Sequence, residues 1–267
     1  MEGLNHAGPD KHPHTIAGMF DAIARRYDFL NHLLSGGLDR RWRARAVREL
    51  AFQGHEVVLD LCTGTADLAI AAIEARQGAA RRVLGVDFAG EMLRIGQQKL
   101  RAASHDGRVP LVRGDAVRLP VASASVHCAM VAFGIRNVID PAAACVEVHR
   151  VLRPGGRFAV LEFAMPRTPV LRSVYAWYFR HVLPRIGRAV SRHDAAYDYL
   201  PASVGTFFPP ETFIAIVERA GFTRVRAIPL SFGIVYLYVA EKPRATEETA
   251  GGMGGGGATN GPAATMM

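Results

Sequence analysis

The sequence predicts a doubly wound α/β fold built around a parallel sheet. Short apolar runs rich in β-branched residues alternate along the chain with stretches whose apolar residues recur at helical spacing. The runs lack the polar alternation of half-exposed strands, so we expect helices on both faces of the sheet. A chain of 267 residues with 49% hydrophobic residues is long enough to bury such a core, and the alternation implies right-handed crossovers.

Two helices are predicted before the first strand. Residues 1–15 are polar and rich in His, Pro and Gly, which indicates a flexible N-terminus. An apolar pattern of helical period begins at Ile16 and breaks at Ser35-Gly36-Gly37, and a second helix is expected near Asp39–Leu50. Residues 16–51 therefore form a helical segment that precedes the sheet.

The remaining elements follow in order. Five apolar runs are expected to be parallel strands, namely Glu56–Leu61, Arg82–Val86, Val109–Val112, Val126–Ala132 and Arg157–Phe163. The segments between and after them that have helical period are Leu68–Arg76, Glu91–Ala102, Pro141–Leu152 and Glu211–Ala220. Gly221 reads as the cap of the last helix, and two further strands are expected near Thr223–Ile228 and Phe232–Ala240.

Two segments lie outside this regular pattern. Residues 164–206 follow the fifth strand and read as a helical insertion, whereas residues 243–267 are mostly Gly, Ala and Thr and read as a disordered tail. From Phe163 to His193 the chain has six arginines and no acidic residue. Apolar residues in this stretch recur at helical spacing, which is compatible equally with core packing and with a lid or membrane-contacting helix.

Charge and cysteine content limit the classes of function. The net charge is +8, which favours nucleic acid, an anionic membrane surface or acidic substrates as partners, although 29 of the 32 basic residues are arginine and suggest compositional bias. No apolar run of eighteen residues and no secretory signal occurs, so we expect a cytoplasmic protein. The three cysteines lack metal-ligand spacing, and we expect them to be reduced with no metal bound.

Candidate ligand-binding residues follow the predicted strands, because ligands of such sheets sit beyond the carboxyl ends of the strands. The loop from Asp60 to Asp67 contains small residues around Gly64, and the helix that follows it points free N–H groups towards a ligand. Asp87 ends the second strand, where a carboxylate accepts the hydroxyls of a ribose, and Asp115-Ala116 follows the third. Alternatively, Gly64 shapes a turn and the two aspartates cap helices.

This arrangement resembles the binding pattern of S-adenosylmethionine-dependent methyltransferases of the Rossmann-like class. A nicotinamide oxidoreductase would share the fold and Asp87, but the sequence lacks the G-x-G-x-x-G fingerprint of that class. A nucleic-acid methylase or binder would use the positive charge, yet neither an Asn/Asp-Pro-Pro-Phe/Tyr motif nor a recognised binding module is found, and we expect no nucleic-acid partner.

Several longer segments resemble one family, the quinone-biosynthesis C-methyltransferases. The similarity extends over residues 16–242, and Phe133-Gly-Ile-Arg-Asn-Val138 is its most specific part. The other segments are Met19–Asn31, Ser35–Trp42, Leu152–Gly156, Leu161–Phe163 and His181–Gly187. The resemblance implies S-adenosylmethionine as cofactor and a polyprenyl quinol as substrate, and a homodimer is compatible with it. Carried across from the family, the cofactor site consists of Thr65, Asp87, Asp115 and Ala116, and Asp60 and Gly64 of the loop after the first strand complete the candidate cofactor-binding residues.

Two positions depart from the ubiquinone members of the family. These members usually have Gly-Thr-Gly-Asp where this chain has Gly64-Thr-Ala-Asp67, and a serine at the position of Ala132. Both departures resemble the menaquinone-only members, so demethylmenaquinol is the favoured substrate and a polyprenyl methoxybenzoquinol the alternative. Since an alanine restricts φ, we expect the loop to avoid a left-handed conformation at Ala66.

The methyl transfer needs a deprotonated phenol next to the cofactor cleft. The resemblance suggests Arg136, Asn137 and Tyr27 as the catalytic residues, with the Arg136 guanidinium binding the developing oxyanion, because arginine cannot act as a base near neutral pH. Alternatively, Arg136 forms a structural ion pair with Asp140 or Asp28. His181 is a further candidate base, whereas His149 is expected to face away from the strand ends.

Overall fold

A seven-stranded sheet flanked by helices forms the centre of the protein. The computed structural model describes residues 13–76, 78–178, 181 and 202–244. Its strands are β1 (Val57–Leu61), β2 (Arg82–Asp87), β3 (Leu111–Arg113), β4 (Val126–Ala132), β5 (Leu152–Phe163), β6 (Thr223–Leu230) and β7 (Val235–Glu241). Its helices are α1 (Pro13–Leu34), α2 (Leu38–Glu49), α3 (Asp67–Ile73), α4 (Gly90–Ala102), α5 (Pro141–Val151), α6 (Pro169–Trp177) and α7 (Pro210–Arg219), with short 3₁₀ helices at Ile135–Asn137 and Ser231–Gly233.

The strands are ordered β3-β2-β1-β4-β5-β7-β6. The first five strands run parallel to one another, which confirms the parallel arrangement expected from the alternation of elements. β7 is antiparallel to both neighbours, since it returns from β6 through a turn too short for a crossover. Gly221 closes α7 in the left-handed region, with φ of +99°, as predicted for a helix cap.

The helices pack on opposite faces of the sheet. On one face the buried residues of α5 and α7, such as Val148 and Phe213, pack on β4, β5 and β7. On the other face the buried residues of α2 and α3, such as Val47 and Ala69, pack on β1 and β4. The burial of both faces agrees with the continuous apolar character of the strands.

The N-terminal helix α1 has a small separate contact with the rest of the protein. Its residues Ala17 and Ala24 are buried with Ala89 and Met92, which lie at and just after the start of α4. The helix begins at Pro13, so the expectation of a flexible segment through residue 15 is wrong for its last three residues. Its small apolar residues lie against the β2–α4 connection, at the carboxyl edge of the sheet.

The segment after β5 is described only in part. Helix α6 and a helical segment at 202–206 belong to it, whereas the expected tail and most of residues 179–201 lie outside the described residues. In α6 the side chains of Val170 and Trp177 are 76% and 59% exposed, and Arg172 is exposed beside them. Contact of this helix with a membrane surface stays a prediction.

The loop after β1 differs from its expected conformation. Ala66 has φ of 68° and ψ of 21°, so the expectation that the loop avoids the left-handed region there is wrong. Cys62 and Gly64 also have positive φ, at 52° and 55°. The chain leaves β1 at Leu61 and enters α3 at Asp67, and a turn this sharp requires left-handed residues within it. The Ala66 N–H donates to the Thr63 carbonyl at 2.9 Å, which closes the turn.

A pair of glycine substitutions measures the strain at Ala66. Ala66 and Ala80 are both fully buried and both lie outside helices and strands, but only Ala66 is left-handed. Both changes to glycine remove a buried methyl group, and at Ala66 the relief of about 1–2 kcal/mol of left-handed strain offsets that loss. We expect Ala66→Gly to lower the unfolding free energy by about 1–2 kcal/mol less than Ala80→Gly, measured by urea denaturation. Equal losses would show that the loop stores no strain at this position.

Candidate active site

A cleft opens to solvent at the carboxyl edge of the sheet. Its walls come from the segments that follow β1, β2, β3 and β4, and from the first half of α1. Five of the predicted site residues line it: Gly64, Asp87, Asp115, Ala116 and Asn137. Apolar side chains form much of the remaining wall, among them Phe20, Val86, Met92, Val138 and Ile139.

Asp87 connects two walls of this cleft. Its carboxylate accepts the Gly64 N–H at 2.8 Å and the Ala89 N–H at 2.9 Å, one at each oxygen. Burial raises the pKa of Asp87, and these two hydrogen bonds oppose that shift. A carboxylate has about four acceptor positions, so two backbone donors leave capacity for the vicinal hydroxyls of a ligand.

Asp115 and Ala116 line the cleft from the segment that follows β3. The Asp115 carboxylate accepts the Val117 N–H at 3.1 Å, and the residue pairs in an isolated bridge with Arg118. Both aspartates thus also make the local backbone contacts that were considered as an alternative to ligand binding. The two roles coexist, because each carboxylate lines the cleft while it orders its own loop.

Asp60 lies beneath the loop after β1 and is not among the residues that line the cleft. It is 1% exposed, and its carboxylate accepts the Thr63 hydroxyl at 2.6 Å. Burial raises its pKa to about 7, and the charge of nearby Asp87 adds to the rise. Asp60 therefore supports the loop from below, and direct contact with a cofactor stays a prediction.

Thr65 is also turned away from the cleft, towards helix α1. Its hydroxyl donates to Asp28, whose other carboxylate oxygen accepts Lys99 Nζ at 2.7 Å. Lys99 in turn contacts Asp67 at the start of α3. This group of polar side chains joins α1 to α3 and α4 beside the cleft, so Thr65 here helps to hold α1 in place at the cleft. Its role as a cofactor ligand stays a prediction.

Arg136 is buried in an ion pair at the end of β5. Its Nη1 donates to Glu162 Oε1 and to the Phe133 carbonyl, both at 2.6 Å, and the side chain is 5% exposed. An ion pair was the alternative considered for Arg136, but the proposed partners were wrong. Asp140 caps α5 by accepting two backbone N–H groups, and Asp28 contacts Lys99.

The structure describes the side chain of Asn137 but not that of Tyr27. Asn137 ends the 3₁₀ helix after β4 and lines the cleft, and its side-chain amide donates to the Phe133 carbonyl at 3.5 Å. Tyr27 lies within α1, but its side chain is outside the described residues. His149 is half-buried and packs edge to face against Phe222, with ring centroids 5.1 Å apart.

Sequence reasoning missed several residues of the cleft. Ile16, Ala17 and Phe20 line it from α1, and Met92 lines it from the first turn of α4. The apolar spacing at the start of α1 was visible in the sequence, but it does not indicate which element the helix covers. Ile139 reaches the cleft from the segment before α5 and is 53% exposed, so neither burial nor periodicity marks it.

The sequence matches the family model described as the ubiE/COQ5 methyltransferase family over residues 9–242. A C-methyltransferase of ubiquinone/menaquinone biosynthesis from Syntrophotalea carbinolica is 48% identical over 220 residues, which cover 82% of this chain and 91% of that protein. A demethylmenaquinone methyltransferase from Thermus thermophilus is 43% identical over 225 residues, covering 84% of this chain and the whole of that protein.

Solved structures of methyltransferases share the fold at low sequence identity. An S-adenosylmethionine-dependent methyltransferase from Aquifex aeolicus superposes with a TM-score of 0.54 at 15% identity, covering 86% of this chain and 98% of that one. A phosphoethanolamine N-methyltransferase from Haemonchus contortus gives a TM-score of 0.59 at 14% identity, covering 88% and 59%. These likenesses confirm the Rossmann-like methyltransferase fold expected from the sequence.

The raised pKa of Asp60 predicts a pH-dependent difference in stability. A folded-state pKa of about 7, against about 3.9 in the unfolded chain, means that the folded state holds this proton more tightly. The contribution of Asp60 to stability is therefore fully present below about pH 4 and is lost as the pH rises through 7. Asp60→Asn cannot ionise, so its stability relative to wild type should increase by about 2–3 kcal/mol between pH 5 and pH 8.

Denaturation at both pH values measures this difference. Asp106→Asn serves as the control, because Asp106 is exposed and its substitution should leave the pH dependence of stability unchanged. A relative stability of Asp60→Asn that stays constant from pH 5 to pH 8 would contradict a buried, readily protonated Asp60.

Proposed function

Because the chain belongs to the ubiE/COQ5 methyltransferase family, we propose that it methylates the ring carbon of demethylmenaquinol in menaquinone biosynthesis. The observation that best supports this proposal is the similarity to the demethylmenaquinone methyltransferase of Thermus thermophilus, which is 43% identical over 84% of this chain and the whole length of that protein. S-adenosylmethionine is the cofactor expected for this fold and family. The cleft at the carboxyl edge of the sheet is the site that we assign to the reaction.

The residues of the cleft fit this cofactor. Asp87 offers acceptor positions for the ribose hydroxyls, and Gly64 lets a ligand approach the backbone closely. Apolar residues such as Met92 and Val138 suit an adenine ring, and we assign to Asp115, which also lines the cleft, the contact with its amino group. When bound, the cofactor supplies a methyl group on a positively charged sulfur, already activated for transfer to a nucleophile.

The protein's task is to align the substrate and to favour its phenolate form. We assign the contact with the phenolic oxygen to Asn137, whose amide N–H₂ can donate to it from the cleft wall. Arg136 supports that wall from the buried side and cannot accept the proton, because a guanidinium is already protonated near neutral pH. Tyr27 is retained as a catalytic candidate by the sequence resemblance alone.

Two positions of the chain favour the menaquinone substrate over the ubiquinone precursor. Ala132 lines the cleft with a methyl group where ubiquinone members have a hydroxyl, and an apolar wall suits the fused benzene ring of a naphthoquinol. Ala66, as in the menaquinone-only members, stands in the loop after β1 where ubiquinone members have a glycine. It adopts a left-handed conformation although it is not glycine. The methoxybenzoquinol remains the alternative substrate.

Methylation of defined quinols tests the proposed function. The purified protein with S-adenosylmethionine should convert short-chain demethylmenaquinol to menaquinol, with kcat/KM at least about 10-fold above that for a methoxybenzoquinol, a difference of about 1.4 kcal/mol in transition-state binding. A strain that lacks the gene should accumulate demethylmenaquinone in its lipid quinone profile. Transfer to the methoxybenzoquinol alone would overturn the menaquinone assignment, and transfer to neither quinol would overturn the function.

Asp87 is the residue whose substitution tests the cofactor site. Asp87→Asn keeps the shape of the side chain but replaces one acceptor oxygen by a donor, so one ligand hydrogen bond is lost together with the backbone hydrogen bond that this oxygen accepts. The affinity for S-adenosylhomocysteine, measured by calorimetry, should fall about 5- to 30-fold, equivalent to about 1–2 kcal/mol.

The control for this substitution is Asp140→Asn. Asp140 also accepts two backbone N–H groups, at 2.9 and 3.0 Å, but asparagine caps a helix as well as aspartate does. Its affinity for S-adenosylhomocysteine should equal that of wild type. Wild-type affinity in Asp87→Asn would remove Asp87 from the cofactor site.

A further inference from the structure

A fully buried carboxylate stands behind the wall of the cleft. Glu162 is 0% exposed, lies one residue before the end of β5, and is not among the residues that line the cleft. Its Oε1 accepts Arg136 Nη1 at 2.6 Å and the Phe163 N–H at 2.9 Å, and its Oε2 accepts the Arg136 backbone N–H at 3.3 Å. Glu162 thus holds both the side chain and the main chain of Arg136.

The segment that Glu162 holds is the cleft wall at 133–138. Phe133 begins it in the left-handed region, with φ of 59°, and its N–H donates to the Leu161 carbonyl at 2.8 Å. A Cβ atom at Gly134 would lie 2.4 Å from the Cβ of Cys62, so this wall packs tightly on the loop after β1. The Asn137 N–H donates to the Gly134 carbonyl at 3.0 Å. A shift of the segment would therefore displace Asn137 as well.

Arg136 carries the contact from Glu162 to two other places. Its Nη1 donates to the Phe133 carbonyl at 2.6 Å, and its Nε donates at 3.3 Å to the hydroxyl of Ser203. Ser203 is 0% exposed and belongs to the helical segment 202–206, at the end of the insertion. The guanidinium also lies 5.6 Å from the centre of the Phe163 ring. One buried charge pair consequently ties together β5, the cleft wall and the insertion.

We propose that Glu162 is a positioning residue for methyl transfer, which acts by orienting Arg136 and so fixing Asn137 on the cleft wall. This inference rests on the proposed function, in which Asn137 contacts the substrate oxygen. A carboxylate suits the task because it neutralises the buried guanidinium and accepts several donors in fixed directions. Methyl transfer requires the reacting atoms in line, and a displacement of about 1 Å in a catalytic group can reduce a rate about 100-fold.

Shortening the carboxylate by one methylene group tests this role. Glu162→Asp keeps the charge but draws the carboxylate away from Arg136, so kcat for demethylmenaquinol should fall about 10- to 100-fold. The Kd for S-adenosylhomocysteine should stay within about 3-fold of wild type, because Asp87 and Gly64 lie on another wall. The matched control is Glu147→Asp. Glu147 also holds an arginine, Arg150, and a backbone N–H, and it lies on α5 outside the cleft.

A double-mutant cycle separates positioning from general support of the fold. If Glu162 acts through Asn137, adding Glu162→Asp to the Asn137→Ala variant should lower its kcat by less than about 3-fold. If the two substitutions acted independently, their separate effects on kcat would multiply in the double variant. Ser203→Ala, which removes the Arg136 Nε contact, should reduce kcat about 3- to 10-fold and keeps the inference testable should Glu162→Asp fail to fold.

Several outcomes would overturn the inference. The inference would be wrong if a folded Glu162→Asp variant had the kcat of wild type, or if the effects of Glu162→Asp and Asn137→Ala on kcat multiplied. If Glu162→Asp does not fold, a wild-type kcat in Ser203→Ala would overturn it. A wild-type enzyme that methylates neither quinol would instead overturn the proposed function, and this inference with it.

Discussion

The active-site cleft exists because the chain turns to opposite faces of the sheet after the neighbouring strands β1 and β4. These two strands are neighbours in the sheet, but β1 leads to α3 on one face and β4 leads towards α5 on the other. Their following loops must separate at the carboxyl edge, which opens a crevice at the switch point of the sheet. The contact between Gly134 and Cys62 marks the point where the two loops part. The topology of the sheet therefore creates the cleft, and the side chains that line it determine only what it can bind.

The conformational cost of this site is concentrated around the same loops. Cys62, Ala66 and Phe133 are all left-handed without being glycine, and each lies in a segment that borders the cleft. Such residues cost of order 1 kcal/mol each and persist where the surrounding contacts determine them. The packed core beneath them, together with the hydrogen bonds of Asp60, Asp87 and Glu162, provides those contacts. The walls are thus held from the buried side.

Strand ends could be read from the sequence because a parallel sheet places its functional residues there. Asp87, Asp115 and Gly64 follow apolar runs, and the structure brings all three to one cleft. The directions of side chains near those ends could not be read in the same way. Asp60 lies within β1 and points beneath the loop, and Thr65 turns towards Asp28 of a helix distant in sequence. Such contacts depend on how separate elements pack, which periodicity does not encode.

The pairing of Arg136 illustrates the same limit more sharply. Nearby acids in the sequence and on α1 were the natural candidates, yet the partner is Glu162, 26 residues away on the neighbouring strand. The register of β4 with β5, in which Ala132 lies opposite Leu161, brings the residues after β4 beside the end of β5. Had the guanidinium faced the cleft, its positive charge would oppose a positively charged sulfur there. Paired with Glu162 behind the wall, it adds rigidity to the cleft without adding net charge.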